Sequence, residues 1–294
     1  MSRIALGLMR LDFSTAGQVE KLIEESLKMG IDKFDLADIY GNGHSEKLVG
    51  EVLKKRPELR QKMYIQTKVG IVKGKGYDLS HDYIVEHTKQ CIERIGCGYL
   101  DCLLLHRPDI LMDNEEIAQA IAELQEQGLV KDFGVSNFSP SEILYLEDTL
   151  KTPILYNQVQ LGLGNTTMLD QTMYTNIPSK IVSKESDSLL FFLKRKKITI
   201  QCWSPYQMGL FGGSIFNELR FPKLNAVLNK YAQKYNTSKC AIATAFLLAV
   251  DKNLWVITGS TNLKHIAQSL DGEKVPLSKM DWYDIYRQSG KMLP

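Results

Sequence analysis

Nowhere does the chain carry an apolar run long enough to cross a bilayer: the longest, Ala241 to Val250, is about half of the roughly 20 residues required, and Asp251 and Lys252 follow it at once. The N-terminal stretch Ile4 to Met9 is broken by Arg10 and Asp12, with no small-residue cleavage site behind it, so no secretory signal is expected and the sequence reads as cytoplasmic. An excess of one charge is missing too. Against 36 Lys and Arg stand 34 Asp and Glu, a net +2 with no basic stripe, which argues against a nucleic-acid or anionic-membrane surface and leaves a small molecule as the expected partner. The five cysteines, Cys91, Cys97, Cys102, Cys202 and Cys240, are odd in number and form no Cys-x-x-Cys pair, which suits neither a disulfide framework nor a zinc site. They read as reduced core residues, and no metal is expected.

What the chain does have is alternation. Of its 294 residues 44% are apolar, enough for a sizeable core, and short apolar runs alternate with segments of helical period, the pattern of a parallel sheet with crossover helices. Strands are predicted at Ile4 to Met9, Asp32 to Asp35, Met63 to Lys68, Leu100 to His106, Val130 to Ser136, Ile154 to Gln158, Ile198 to Trp203 and Leu254 to Thr258. Helices are predicted over 45–56, 81–95, 114–127, 140–150, Ser186 to Arg195, 220–235, 238–250, Asn262 to Leu270 and Ser278 to Gly290. A first helix starts from Ser14 or Thr15, and 160–182 reads as a long loop. Ser139-Pro140-Ser141-Glu142 is a helix start in which Ser139 caps, Pro140 suits the first helical position and Glu142 completes a capping box. Eight strands, a length near that of the fold, and no linker or composition break favour an α/β chain forming a single-domain (β/α)8 TIM barrel over 1–294.

In such a barrel the ends of the strands build the site. Asp35 ends the second strand with Tyr40 five residues on, Lys68 ends the third and His106 ends the fourth. Taken singly, each is an ordinary salt-bridging acid, surface tyrosine, solvated lysine or core histidine. All four at neighbouring strand ends form a set, because a lysine at the barrel mouth is costly to bury without a carboxylate partner. A phenol has a pKa of about 10, and a nearby ammonium makes its phenolate easier to form, so Tyr40 beside Lys68 could exchange a proton. Asp35 would hold the lysine charged, and His106 would orient a carbonyl oxygen. The set has no electron source, metal cage or nucleophile, so it implies a cofactor or an isomerisation.

The stretch Phe34-Asp35-Leu36-Ala37-Asp38-Ile39-Tyr40-Gly41 resembles the aldo-keto reductase signature, followed in the family's order by Ile65-Gln66-Thr67-Lys68 and Leu103-Leu104-Leu105-His106-Arg107-Pro108. Gly134 to Ser139, Asn157-Gln158-Val159 and Trp203-Ser204-Pro205 resemble its nicotinamide-binding stretches, and Thr258-Gly259-Ser260-Thr261-Asn262 its phosphate-binding turn. The His-Arg-Pro-Asp motif and the ending Trp282-Tyr283-Asp284-Ile285 are most similar to the bacterial YdhF-like branch. The resemblance implies reduction of an aldehyde or ketone to an alcohol, with Tyr40 as general acid, Lys68 lowering its pKa, Asp35 pairing with Lys68 and His106 positioning the carbonyl. It implies NADPH as the hydride source, with NAD left open. The carboxamide would meet Ser136, Asn137 and Gln158, the ring would stack on Trp203, and the phosphates would meet Ser204, Gly209, Leu210, Gly259, Ser260 and Asn262.

The chain also departs from the family pattern. His265, beside Lys264, stands where many members carry the arginine that grips the adenosine 2′-phosphate, and Gly259 where some carry lysine. Gln207 and Met208 occupy a stretch that is glycine-rich in relatives. The N-terminal hairpin that plugs the barrel bottom in many members is missing, so another segment, such as the C-terminal tail, is expected to cover that end. Met9, Arg10, Arg107 and residues 160–182 are candidate pocket walls. Within the same family the potassium-channel β-subunits illustrate an alternative, a cofactor-binding regulatory or redox-sensor protein.

Overall fold

The computed structural model describes residues 2–174, 188–208, 212–291 and 293. Strands form in short stretches free of helical period, mostly apolar except β2, whose Lys33 and Asp35 flank Phe34: β1 (Ile4–Gly7), β2 (Lys33–Asp35), β3 (Tyr64–Val69), β6 (Leu100–Leu105), β7 (Val130–Ser136), β8 (Ile154–Gln160), β9 (Thr199–Trp203) and β10 (Leu254–Thr258). Between β3 and the third helix, β4 (Ile71–Val72) and β5 (Gly76–Tyr77) make a small antiparallel hairpin that no periodicity announced. The other eight close into a barrel in the order β1-β10-β9-β8-β7-β6-β3-β2. This is the (β/α)8 architecture expected from the alternation.

The chain gathers into two compact units. Residues 5–158 with 259–263 form the first, holding α1 (Ala16–Lys28), α2 (His44–Lys55), α3 (His81–Ile95), α4 (Asn114–Glu126) and α5 (Pro140–Glu147). Of the two candidates for the first cap, Thr15 is the one used, in a capping box with Gln18, and Ser139 caps α5 in a box with Glu142 as the sequence predicts. The parallel register pairs Gly7 with Asp35, Asp35 with Gln66, Lys68 with Leu104 and Ser136 with Gln158. Side chains alternate along a strand, so Gln66 and Lys68 share one face of β3 while Thr67 takes the other.

Residues 2–4, 159–258 and 264–294 form the second unit, with α6 (Thr167–Met173), α7 (Leu189–Lys196), α8 (Pro222–Lys234), α9 (Lys239–Leu248), α10 (Leu263–Asp271, all but its first residue) and α11 (Lys279–Gln288). The expected loop at 160–182 is in part helical, because Met168 and Leu169 bury themselves over the two turns of α6. Ser186, the expected start of the next helix, lies outside the described residues, and α7 begins at Leu189. Gly162 and Gly164 let this segment approach the stretch after β9, since a β-carbon at either would overlap the carbonyl oxygen of Pro205 or Gln207. The C-terminal stretch ties back to α6: Asp170, 1% exposed, accepts from Tyr286 Oη at 2.6 Å and Lys291 Nζ at 2.8 Å. Ahead of β1, Arg3 donates to the carbonyls of Leu248 and Asp251. All five cysteines are free and buried, and burial pushes each thiol's pKa up. Among the described residues no helix is long and apolar enough to cross a membrane.

Candidate active site

At the end of β2 and β3 an ammonium is buried with its hydrogen bonds complete. Lys68, 0% exposed, donates to Asp35 Oδ2 at 2.8 Å, to the Leu36 carbonyl at 2.7 Å and to Tyr40 Oη at 3.2 Å, so each of its three protons has an acceptor. Asp35 is held in turn. Its Oδ1 accepts from Gln66 Nε2 at 2.6 Å and Gln158 Nε2 at 2.8 Å. Tyr40 opens a turn, Tyr40–Gly43, in which Gly41, Asn42 and Gly43 are all left-handed at φ 56°, 55° and 80°. Its left-handed φ is what favours glycine at Gly41, since the nearest atom to a β-carbon there would be the Oδ1 tip of the exposed Asp12, which can swing aside. His106 follows β6, its backbone N–H bonded to the Val69 carbonyl at 2.8 Å. Its ring stands edge-on to that of Tyr40, centroids 6.1 Å apart at 84°. Its Nδ1 is buried without a hydrogen-bond partner among the described residues.

Charge in this cluster is set by burial and by the lysine. Desolvation drives His106 well below the usual imidazole range, and the charges of Lys68 and Arg107 push the same way, so the ring is neutral at neutral pH. Burial works against the Lys68 ammonium, but Asp35 and Tyr40 outweigh it and raise its pKa. The Tyr40 phenol is raised by desolvation and by Asp35, and the lowering by Lys68 recovers only part of that. Lys68 thus lowers the phenol as expected from the sequence, but burial outweighs it and the net shift is upward.

A second strip of polar groups joins the first. Ser136 at the end of β7 donates to the Gln158 carbonyl at 2.9 Å and accepts from Asn137 Nδ2 at 2.8 Å. Asn137 is left-handed at φ 63°. Ser136, Asn137, Gln158, Asp35, Lys68 and Tyr40 thus form one continuous hydrogen-bonded chain. Gly259 and Ser260 follow β10 half-buried, with open space where a Gly259 side chain would be, and Asn262 is exposed ahead of α10. In the second unit Trp203 ends β9, Ser204 follows it at φ 48°, and His265 is exposed on α10. Gly209 and Leu210 lie outside the described residues.

The chain matches the family model described as the aldo/keto reductase family over residues 3–287. It belongs to that family. It is 31% identical over 298 residues to a 6-dehydroglucose reductase of Agrobacterium fabrum, covering 97% of this chain and 93% of that one. To the oxidoreductase YdhF of Escherichia coli it is 30% identical over 294 residues, covering 97% and 92%. The solved structure of a thermostable aldo-keto reductase with the inhibitor epalrestat superposes with a TM-score of 0.78 at 23% identity, over 98% of this chain and 95% of that one.

Aldo/keto reductases work with nicotinamide cofactors. A carboxamide has one acceptor oxygen and two N–H donors, and the side-chain amides of Asn137 and Gln158 each carry both kinds of group. Among the described residues of this aldo/keto reductase no three His, Cys, Asp or Glu side chains converge as a metal cage would require. Gln66 and Asn157 stand inside the family's motifs but are given no role by the sequence. Gln66 lies on the face of β3 that carries Lys68, so the strand period alone points to it. Asn157 is fully buried and donates to the Phe138 carbonyl at 2.8 Å, holding the turn that carries Asn137.

Proposed function

We propose that this aldo/keto reductase reduces an aldehyde or ketone to an alcohol, with Tyr40 as the proton donor. A reduced nicotinamide, when bound, would supply the hydride that the carbonyl carbon takes up. Tyr40 gives its Oη proton to the carbonyl oxygen as the bond order falls, and the phenolate left behind sits 3.2 Å from the Lys68 ammonium, which stabilises it. Asp35 keeps Lys68 charged and in place. His106, neutral, offers one N–H and one lone pair beside the phenol, suited to fixing the carbonyl oxygen before the proton moves. Its raised pKa suits Tyr40 to this task, because the phenol stays protonated until the substrate oxygen demands the proton.

The observation that carries this reading is the fully buried Lys68 placed between Asp35 and Tyr40. Ser136, Asn137 and Gln158 are assigned to the carboxamide, and the Gly259, Ser260 and Asn262 amides to a phosphate. The assignments of Trp203, Ser204, Gly209, Leu210 and His265 rest on their motifs. NADPH is the assigned hydride source. The test is oxidation of NADPH and of NADH by the purified protein with a panel of aldehydes, diketones and quinones. Turnover with NADPH faster than with NADH supports the reading, faster turnover with NADH reassigns the cofactor, and binding without turnover on any carbonyl points to a sensor.

A further inference from the structure

Behind the strand layer, on the side away from Lys68, lies a buried carboxylate that the proposed reaction does not use. Glu46 on α2 is 0% exposed. Its Oε1 accepts from the Thr67 hydroxyl at 2.7 Å, and its Oε2 from Arg94 Nε of α3 at 2.7 Å. An ion taken out of water needs a paired charge and hydrogen bonds to offset its lost hydration, and here each carboxylate oxygen has a partner. The position of this pair is what matters. Thr67 directly precedes Lys68 on β3, and Glu46 lies six residues beyond Tyr40, at the start of the helix that the Tyr40–Gly43 turn leads into. Arg94 braces the same turn, since a β-carbon at Gly43 would lie 3.1 Å from both its Cδ and its Nε. Beyond the bonds of Lys68 to the Leu36 carbonyl and of the Asp38 N–H to the Lys68 carbonyl, the segment bearing Tyr40 and the strand bearing Lys68 are therefore tied inside by the 3.2 Å Lys68–Tyr40 contact and outside by the Glu46–Thr67 bond.

We propose that Glu46 is a positioning residue, which through Thr67 and Arg94 sets the separation between Lys68 and Tyr40. The inner contact is long for a hydrogen bond to an ammonium, so a small drift of the Tyr40 turn would break it. The outer bond is charge-assisted at the carboxylate and shielded from water, and it is the stiffer of the two. This rests on the proposed reductase chemistry, but its first consequence does not need turnover: without the outer tie the Tyr40 turn drifts from the ammonium, which Asp35 and the Leu36 carbonyl still hold, and the Tyr40 phenol titrates at higher pH.

The test is Thr67→Val, which removes the hydroxyl at nearly constant volume, beside Thr67→Ser, which keeps it. Tyr40 is followed by its ring-carbon NMR shift against pH, assigned by its disappearance in Tyr40→Phe, in the free protein. In Thr67→Val the Tyr40 titration should move up and kcat should fall roughly ten- to a hundredfold, the scale of misplacing a reacting group by a fraction of an ångström to an ångström. Thr67→Ser should restore both. Glu46→Gln, which keeps an oxygen for Arg94 and an N–H for Thr67 Oγ1, should retain much of the kcat that Glu46→Ala loses. An unmoved Tyr40 titration in Thr67→Val overturns the proposal, as does a kcat loss that Thr67→Val and Thr67→Ser share. A wild-type protein that reduces no carbonyl overturns the reductase reading instead, and the Tyr40 titration still decides the role of Glu46.

Discussion

Asp38 shows how far burial can move a charge two residues from Tyr40. Its carboxyl has one oxygen without a partner among the described residues and the other 3.6 Å from His87 Nδ1. Burial, reinforced by the nearby Glu46 charge, pushes its pKa up to about 7, against about 3.9 for an unfolded chain, while Arg94 and Lys68 pull the other way. A group raised in the fold contributes stability that is complete below the unfolded pKa and is lost as pH rises through the folded one. Asp38→Asn has no such loss. Urea denaturation should therefore find the variant gaining on the wild type between about pH 5 and about pH 8, by an amount on the order of a few kcal/mol, and a difference that is the same at both would refute the assignment. At this scale the sequence was partly legible. Asp35, Tyr40, Lys68 and His106 stand out because titratable side chains at strand ends have no structural reason to recur. Glu46 does not, because a glutamate in the first turn of an amphipathic helix is ordinarily a solvated residue. The net shift of Tyr40 was hidden for a related reason, since desolvation depends on what surrounds the hydroxyl and not on its neighbours in sequence.

Strands and helices were legible where pattern and punctuation agreed. The box Ser139-Pro140-Ser141-Glu142 is present as read, and α3 runs over the residues its period marked, because caps and apolar stripes are local. The hairpin of β4 and β5 and the helix α6 were not, since two-residue strands and two helical turns carry too few residues for a period to emerge. Gly162 and Gly164 are the sequence trace of what α6 requires: a segment leaving β8 that must pass against the backbone after β9. Gly162→Ala would drive a methyl group into the Pro205 carbonyl. Overpacking of that kind costs about 1–3 kcal/mol, which chemical denaturation should register, and an unchanged midpoint would show that the segment can move aside.

Closure of the whole barrel followed from counting, because eight strands separated by helices and covered on both faces leave few other architectures. What counting could not give is how the polar groups from different strands meet. Gln158 of β8 reaches Asp35 of β2, 123 residues earlier, and only the barrel brings them together. The C-terminal stretch illustrates the same limit: its Lys291 reaches Asp170 of α6, in the segment after β8, a long-range ion pair that no local pattern encodes. The product of this closure is a phenol beside a buried lysine. The most direct test of its role is single-turnover oxidation of saturating NADPH by the wild type and by Tyr40→Phe, with the best carbonyl from the panel and with NADPH affinity measured by calorimetry in both. The rate in Tyr40→Phe should be at least about a hundredfold lower with NADPH affinity unchanged, as the loss of a general acid requires. Equal rates in the two proteins would contradict that role.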